Sequence, residues 1–410
     1  LENLRIPERI LRALPPLWGE IQLELEERGE YTRFFDIEMP VYNTLLRSQY
    51  LGICIDEDVR DCLLIEVDQA HVSAHHKLTI KHGLNVEKAL KGAEYLQSIL
   101  GLDRHDTPIT LSTDKIIGLN KGYDERCNLL HEVSSARRNM AILNRTFSQF
   151  RDRCFPVFDI MGTVSGRIQV VDPQLQHLKK RYRSVVIPRA GSRLLYVDYN
   201  QFEPTIMANM SGDEALAALC ADGDLYVALA KEMLRASHKR KEAKRLFLAY
   251  SYGMNSDGLA ELVHQTICSE KTTTHPIVDR LMKLFSGVER WRERLHRELR
   301  EHGKVSTAFG NSRYRASGGP LNLKESRWAV NHVVQGTGAL ILKKLILRIS
   351  SLLPEVNILL PMHDALLLEI PQDVTEIFVQ NVIEECRQAF LEVCPGLAPR
   401  VSIEPFAKTV

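Results

Sequence analysis

No stretch of this 410-residue chain runs the roughly 20 uninterrupted apolar residues that a bilayer-spanning helix needs. The longest candidate, ALILKKLILRI (339–349), is broken by Lys343, Lys344 and Arg348, so no membrane partner is expected. Paired metal-binding cysteines are also missing. The eight cysteines, at 54, 62, 127, 154, 220, 268, 386 and 394, include no CxxC and no Cys/His spacing of the zinc type. Free thiols in a reducing compartment are expected: the cytoplasm with its nucleoid or an equivalent, organellar or viral origin staying open. Excess charge of either sign is lacking too. With 53 Lys+Arg against 52 Asp+Glu the net charge is +1, so a nucleic-acid surface would have to come from local clustering. Internal repeats and low-complexity tracts are absent. The chain opens on Leu1 without a signal peptide, which reads as a piece of a longer polypeptide.

What is present is apolar content of 44% over a length beyond the roughly 250–300 residues at which one core stops growing. Two or three subdomains follow. From about Phe34 to Phe155 apolar residues recur at three and four, in MPVYNTLLRSQYLGICID and LLHEVSSARRNMAILNRTF, predicting one elongated helical subdomain. Within it HGLNVEKALKGAEYLQSILGLDRHDTP predicts a charged helix bounded by Gly and Pro, either a protruding tip or a solvated surface helix. From Gly162 the punctuation by Gly166, Pro173, Pro188 and Gly191 predicts short extended runs, with RLLYVD a buried strand ending at Asp198. Pro204 suits the first turn of a short helix that ends at Ser211-Gly212. Residues 213–300 read as helices with breaks at Gly223, Gly253 and Gly287. A long apolar helix and a hairpin with His363-Asp364 at its turn close the chain.

Asp198 and Asp364 each follow four or five mostly apolar residues, so adjacent strands can bring them together although 166 positions separate them. Two carboxylates so placed suit hard divalent cations for phosphoryl transfer, though an Asp after a strand is also a common turn former or helix cap. Between them lie Arg240, Lys244, Leu248 and Tyr252 at intervals of four. On a helix these cover an arc of about 120°, along which a triphosphate can lie. Arg offers a bidentate fork, Lys a point charge and Tyr252 a ring for a sugar or base. A solvated basic face is the alternative, but Phe247, Leu248 and Tyr250 imply a half-buried helix. KKRYR (179–183) suits phosphate contacts or a plain surface patch equally well. The other histidines, including His75-His76, have no ligating spacing and are assigned to the surface.

Several segments, in order, resemble the family A DNA polymerases of the bacterial DNA polymerase I type. SGRIQVVDPQLQHL (165–178), DYNQFE (198–203), RKEAKRLFLAYSYG (240–253), GKVSTAFGNSR (303–313), NHVVQGT (331–337) and MHDALLLEI (362–370) are similar to that family's motifs, and FDIEMPVYNTLLRSQYLGICID (35–56) to its thumb entrance. The resemblance covers nearly everything after about residue 31. It implies an α+β right-hand polymerase fold: an N-terminal remnant or linker (1–33), a helical thumb (34–155), an antiparallel-sheet palm (156–212 and 320–410) and helical fingers (213–319).

It further implies that Asp198 and Asp364 hold two Mg²⁺ ions, with Mn²⁺ as a substitute, and that Tyr199 follows the first ligand as usual in the family. With Lys244 these aspartates form the catalytic set. Arg240 and Lys244 match the triphosphate-binding pair, and Glu203 the acid that excludes a ribose 2′-OH, with Tyr252 as its partner. Gln201 and Leu248 join the nucleotide contacts. Arg167, Arg327, Asn331, Gln335 and His363 match residues that hold the DNA. The implied partners are primer-template DNA and dNTPs, the implied state a monomer, free or within a longer polypeptide or replisome. Leu248 stands where the family usually has Phe or Tyr, Phe247 replaces Asn, Ala249 replaces Gly, and Ala365 replaces Glu. Residues 1–30 are too few for an exonuclease domain, so no nuclease is expected. A single-subunit RNA polymerase, a catalytically inactive DNA-binding accessory protein and a nuclease remain the alternatives.

Overall fold

Leu, Val and Ile fill the runs that lead to Asp198 and flank Asp364, and such residues are stable in strands covered on both faces. In the computed structural model, which describes residues 5–101, 112–122, 124–146, 152–266, 274–316 and 318–407, they form a four-stranded antiparallel sheet. Its order is Val401–Glu404, Ser192–Tyr199, Ala365–Pro371, Asn357–Pro361. Leu366, Leu367 and Leu368 at its centre are wholly buried. Ala365 pairs with Asp198 and Leu368 with Leu195. The helix Glu376–Val393 packs against this sheet: the Tyr199 hydroxyl donates to the Cys386 carbonyl (2.5 Å), and Tyr199 stacks on Phe202 at 4.8 Å.

The chain divides into two compact units, and the sheet belongs to the first, residues 1–48, 158–169 and 191–404. The same unit holds the helices Phe202–Ser211, Leu225–Leu234, Arg240–Ser251, Ser286–His302 and Leu323–Leu352. Gly212 ends the first of them with φ 64°, a left-handed conformation that suits glycine. Gly223 and Gly253 fall between helices as expected, but Gly287 does not break one. It is the second residue of Ser286–His302, where Asp213 approaches so closely that a Cβ would lie 2.8 Å from its carboxylate. Its N–H and that of Val288 donate to Asp213 Oδ2 (2.7 and 3.1 Å). Close packing, not a turn, is the reason for that glycine.

The second unit, residues 49–157, 170–190 and 405–410, has a core of Leu78, Leu84, Val86, Leu96, Leu130 and Val133 among its helices. The stretch read as helical is mostly so, with short strands that the reading left out. Ile53–Ile55 is a strand, in the middle of a three-stranded sheet with Arg153–Cys154 and Val186–Ile187. Gly52 (φ 68°) turns the chain out of the preceding helix, and two β-branched isoleucines then favour the strand. The single charged helix is two, Val86–Lys91 and Ala93–Leu100, parted at Gly92, while Pro108 lies outside the described residues. Of KKRYR, Lys180–Arg183 open the short 3₁₀ helix Lys180–Val185, with Lys179 as its N-cap. A helix over Arg5–Glu27 was not anticipated. Among the described residues no helix is long and apolar enough to cross a membrane, and every described cysteine is a free thiol; Cys268 lies outside them.

Candidate active site

A cavity of about 740 Å³ opens in the first unit at the end of the sheet. Asp198 enters it from the penultimate position of its strand, and Asp364 from the turn between Asn357–Pro361 and Ala365–Pro371. The Tyr199 N–H donates to the Asp364 carbonyl (3.0 Å), so the ladder itself places the two aspartates side by side. The Met362 N–H donates to the Ala365 carbonyl (2.8 Å) and closes the hairpin with His363 and Asp364 at its tip. Asp364 reaches solvent, yet crowding by protein atoms raises its carboxyl pKa by desolvation, more than His363 and Arg167 lower it. Ala365 is buried, in a place where a longer acid would have to be desolvated.

The cationic helix Arg240–Ser251 forms another wall of this cavity through Arg240, Lys244 and Leu248; Tyr252 is the residue that caps it. Its opposite face is fixed by aromatic packing. Phe247 is buried with its ring 5.8 Å from Phe285 and 6.1 Å from Tyr226. The buried Arg292 donates to the Tyr250 carbonyl (2.5 Å), placing a cation at the helix C-terminus. Half-buried is therefore the right description, with the charged arc toward the cavity.

Glu203, in the first turn of Phe202–Ser211, accepts a hydrogen bond from the Tyr252 hydroxyl (2.6 Å) and one from Arg167. Burial, then the Glu203 charge, push the Tyr252 hydroxyl pKa far up, so it stays a proton donor. Gln335 also hydrogen-bonds Tyr252. A small apolar crevice beside this pair is lined by Leu248, Met207, Asn331 and Val334. On Leu323–Leu352, Arg327, Asn331 and Gln335 recur at four-residue intervals, and the Arg327 guanidinium donates to the Gly253 carbonyl (3.2 Å). The structure thus gathers Asp198, Asp364, Arg167, Gln201, Glu203, Arg240, Lys244, Leu248, Tyr252 and His363 around one cavity, with Asn331 beside it.

Gln201 lines the cavity, and its side-chain amide is also bonded within the fold. In a left-handed conformation (φ 56°), it donates to the Gly223 carbonyl (2.7 Å) and accepts from the Leu225 N–H (2.9 Å). Its amide ties the Asp198 strand to the start of Leu225–Leu234. Sequence reading missed Asp224 and Tyr226 in that connection, and Arg400, all of which line the cavity. Gly223-Asp224 before an apolar run is a helix-start signal, and Asp224 does accept from the Tyr226 and Val227 N–H groups (2.9 and 3.1 Å). Nothing in the spacing showed that the same carboxylate would also bind Arg240 (2.7 Å).

The donor set suits a hard divalent cation. Asp198 and Asp364 supply two neighbouring carboxylates, and Glu203 and Asp224 lie on the same cavity in contact with Tyr252, Arg167 and Arg240. No group of three or more His, Cys, Asp or Glu side chains is placed to hold a metal among the described residues. One or two carboxylates completed by water and substrate phosphates is the usual Mg²⁺ arrangement.

Residues 67–395 match the family model described as DNA polymerase family A. The chain is 26% identical to DNA polymerase I of Chloroflexus aurantiacus, covering 99% of this chain and 45% of that protein. It is 31% identical to the thermostable DNA polymerase I of Thermus filiformis, covering 93% of this chain and 48% of the relative. The chain thus spans about half the length of these curated relatives. Among solved structures it resembles the POL domain of Pol1 from M. smegmatis, a complex with DNA primer-template and dNTP. The TM-score is 0.77 at 22% identity, over 93% of this chain and 71% of that one, which makes this an α+β polymerase fold.

Proposed function

Because this chain belongs to DNA polymerase family A, we propose that it is a template-directed DNA polymerase that adds dNTPs to a primer 3′-OH. The observation that carries this reading is one cavity with Asp198 and Asp364 on one wall and Arg240 and Lys244 on another. Two Mg²⁺ ions held by the aspartates, or Mn²⁺ in their place, would lower the pKa of the attacking hydroxyl and neutralise charge on the leaving phosphates. Arg240 and Lys244 bind the triphosphate and align its α-phosphate with the primer end. Leu248 packs beside the sugar. Glu203, held by Tyr252 and Arg167, stands where a ribose 2′-OH would go, and Gln201 joins the nucleotide contacts at the cavity wall. Arg327, Asn331, Gln335, His363 and Arg167 hold the primer-template.

In this reading residues 34–155 act as thumb, 156–212 and 320–410 as palm and 213–319 as fingers. On the same reading the chain works in the cytoplasm with its nucleoid or an equivalent reducing compartment, of cellular, organellar or viral origin, as a monomer, alone or within a longer polypeptide or replisome, and without nuclease activity in residues 1–410. A primer-extension assay with Mg²⁺ and dNTPs, run beside Asp198→Asn and Asp364→Asn, tests the proposal. Extension by the wild type that both variants lose supports it. Equal extension by all three would place the metal site elsewhere, and absence of extension would favour an inactive DNA-binding protein. Degradation of DNA without dNTPs would point to a nuclease. A single-subunit RNA polymerase would prefer NTPs, which the bound carboxylate of Glu203 opposes.

A further inference from the structure

Asp224 meets Arg240 at the cavity wall through an oxygen that takes no part in the helix cap. Both Nε (2.8 Å) and Nη2 (2.7 Å) of Arg240 donate to the one oxygen Asp224 Oδ2. The other oxygen, Oδ1, separately accepts from the Tyr226 and Val227 N–H groups and caps Leu225–Leu234. One carboxylate therefore serves two ends, the cap through Oδ1 and Arg240 through Oδ2. The pair stands open to water, with side chains 45% and 38% exposed. The Tyr226 ring beneath it lies 5.4 Å from the Arg240 guanidinium and 5.3 Å from the Lys244 ammonium. Gln201 anchors this connection at Gly223 and Leu225, so Asp224 is carried by a braced segment.

We propose that Asp224 is a positioning residue that competes with the incoming triphosphate for Arg240: its carboxylate occupies the edge of the guanidinium that a phosphate oxygen would take, and nucleotide binding exchanges one anion for the other. The inference rests on the polymerase reading above. A fork of N–H donors binds carboxylate and phosphate with the same geometry, so the two anions are alternatives on that edge. Exposed ion pairs are weak, which makes the exchange cheap, while a triphosphate carries more charge than one carboxylate. In the exchange Arg240 swings from Asp224 to the phosphate. Tyr226 keeps its ring under both cations, and Oδ1 keeps the helix cap. Asp224 thereby lowers the site's affinity for any polyanion that lacks the rest of the nucleotide's contacts.

Asn and Ser cap helices about as well as Asp, so Asp224→Asn and Asp224→Ser remove the competing charge and spare the cap. In primer extension at limiting dNTP, both variants are expected to lower KM for dNTP by about two- to fivefold. In an Arg240→Ala background the same substitutions are expected to leave KM where Arg240→Ala alone puts it. Inorganic triphosphate, used as a competitive inhibitor, should bind the Asp224 variants more tightly by a similar factor. An unchanged or raised KM in both variants overturns the proposal, as does a shift that persists without Arg240. Failure of the polymerase reading itself would look different, because the wild-type chain would then extend no primer.

Discussion

Two clusters of opposite charges in the first unit differ in almost every respect. Arg33, Glu38 and Lys343 meet in its interior, with Arg33 Nη1 and Lys343 Nζ on the Glu38 carboxylate at 2.5 and 2.6 Å and side chains 2–4% exposed. Arg240 and Asp224 meet at the cavity with side chains about ten times more open. Burial makes the first cluster permanent: each charge has lost its water, and removing one strands the others in a medium that cannot solvate them. It joins the segment around Arg33–Glu38 to the long helix that carries Arg327, Asn331 and Gln335. Exposure leaves the second cluster exchangeable, because water can replace either partner at little cost. The charges that join two segments of the fold are sealed in, and those to which the proposed function gives a substrate are left at the rim.

That contrast can be broken from either side. The largest effect is expected in the interior, where Glu38→Ala should destabilise the protein by about 3–5 kcal/mol, read as a lower urea midpoint. A loss below about 1 kcal/mol would mean that water reaches the cluster. Next come Asp198→Asn and Asp364→Asn, each expected to reduce primer extension by on the order of 10²–10³-fold while leaving the urea midpoint nearly unmoved. Coupled loss of activity and stability would put these aspartates with the structural charges. Glu203→Ala should follow, raising incorporation of ribonucleotides relative to deoxynucleotides by about 10- to 200-fold, since one pocket contact is worth that much discrimination. An unchanged ratio would move the gate away from the Glu203–Tyr252 pair. Leu248→Tyr is expected to change acceptance of dideoxynucleotides by about tenfold or less, measured as chain termination at fixed dNTP. Indifference there would mean that position 248 does not face the sugar.

Much of the site was legible before any coordinates. The apolar runs before Asp198 and around Asp364 forced strands, and spacing at four put Arg240, Lys244 and Leu248 on one face of a helix. Pro204 and Gly212 marked the ends of the helix after Asp198. Misread elements were those whose local pattern was ambiguous. Ile53–Ile55 continued a helical rhythm and was claimed for a strand by partners about 100 and 130 residues away, while Gly287 looked like a break and answered to Asp213.

Side-chain types and periodicity alone determined which residues carry charge into the site, because strand alternation and helical repeat are properties of the local backbone. Only the tertiary structure decided which of those charges meet. The antiparallel register sets Asp198 beside Asp364, the Tyr252 hydroxyl reaches Glu203, and Asp224 meets Arg240. Such meetings depend on contacts among residues 16 to 166 positions apart. No local preference encodes them, and only the packing of one element against another selects them.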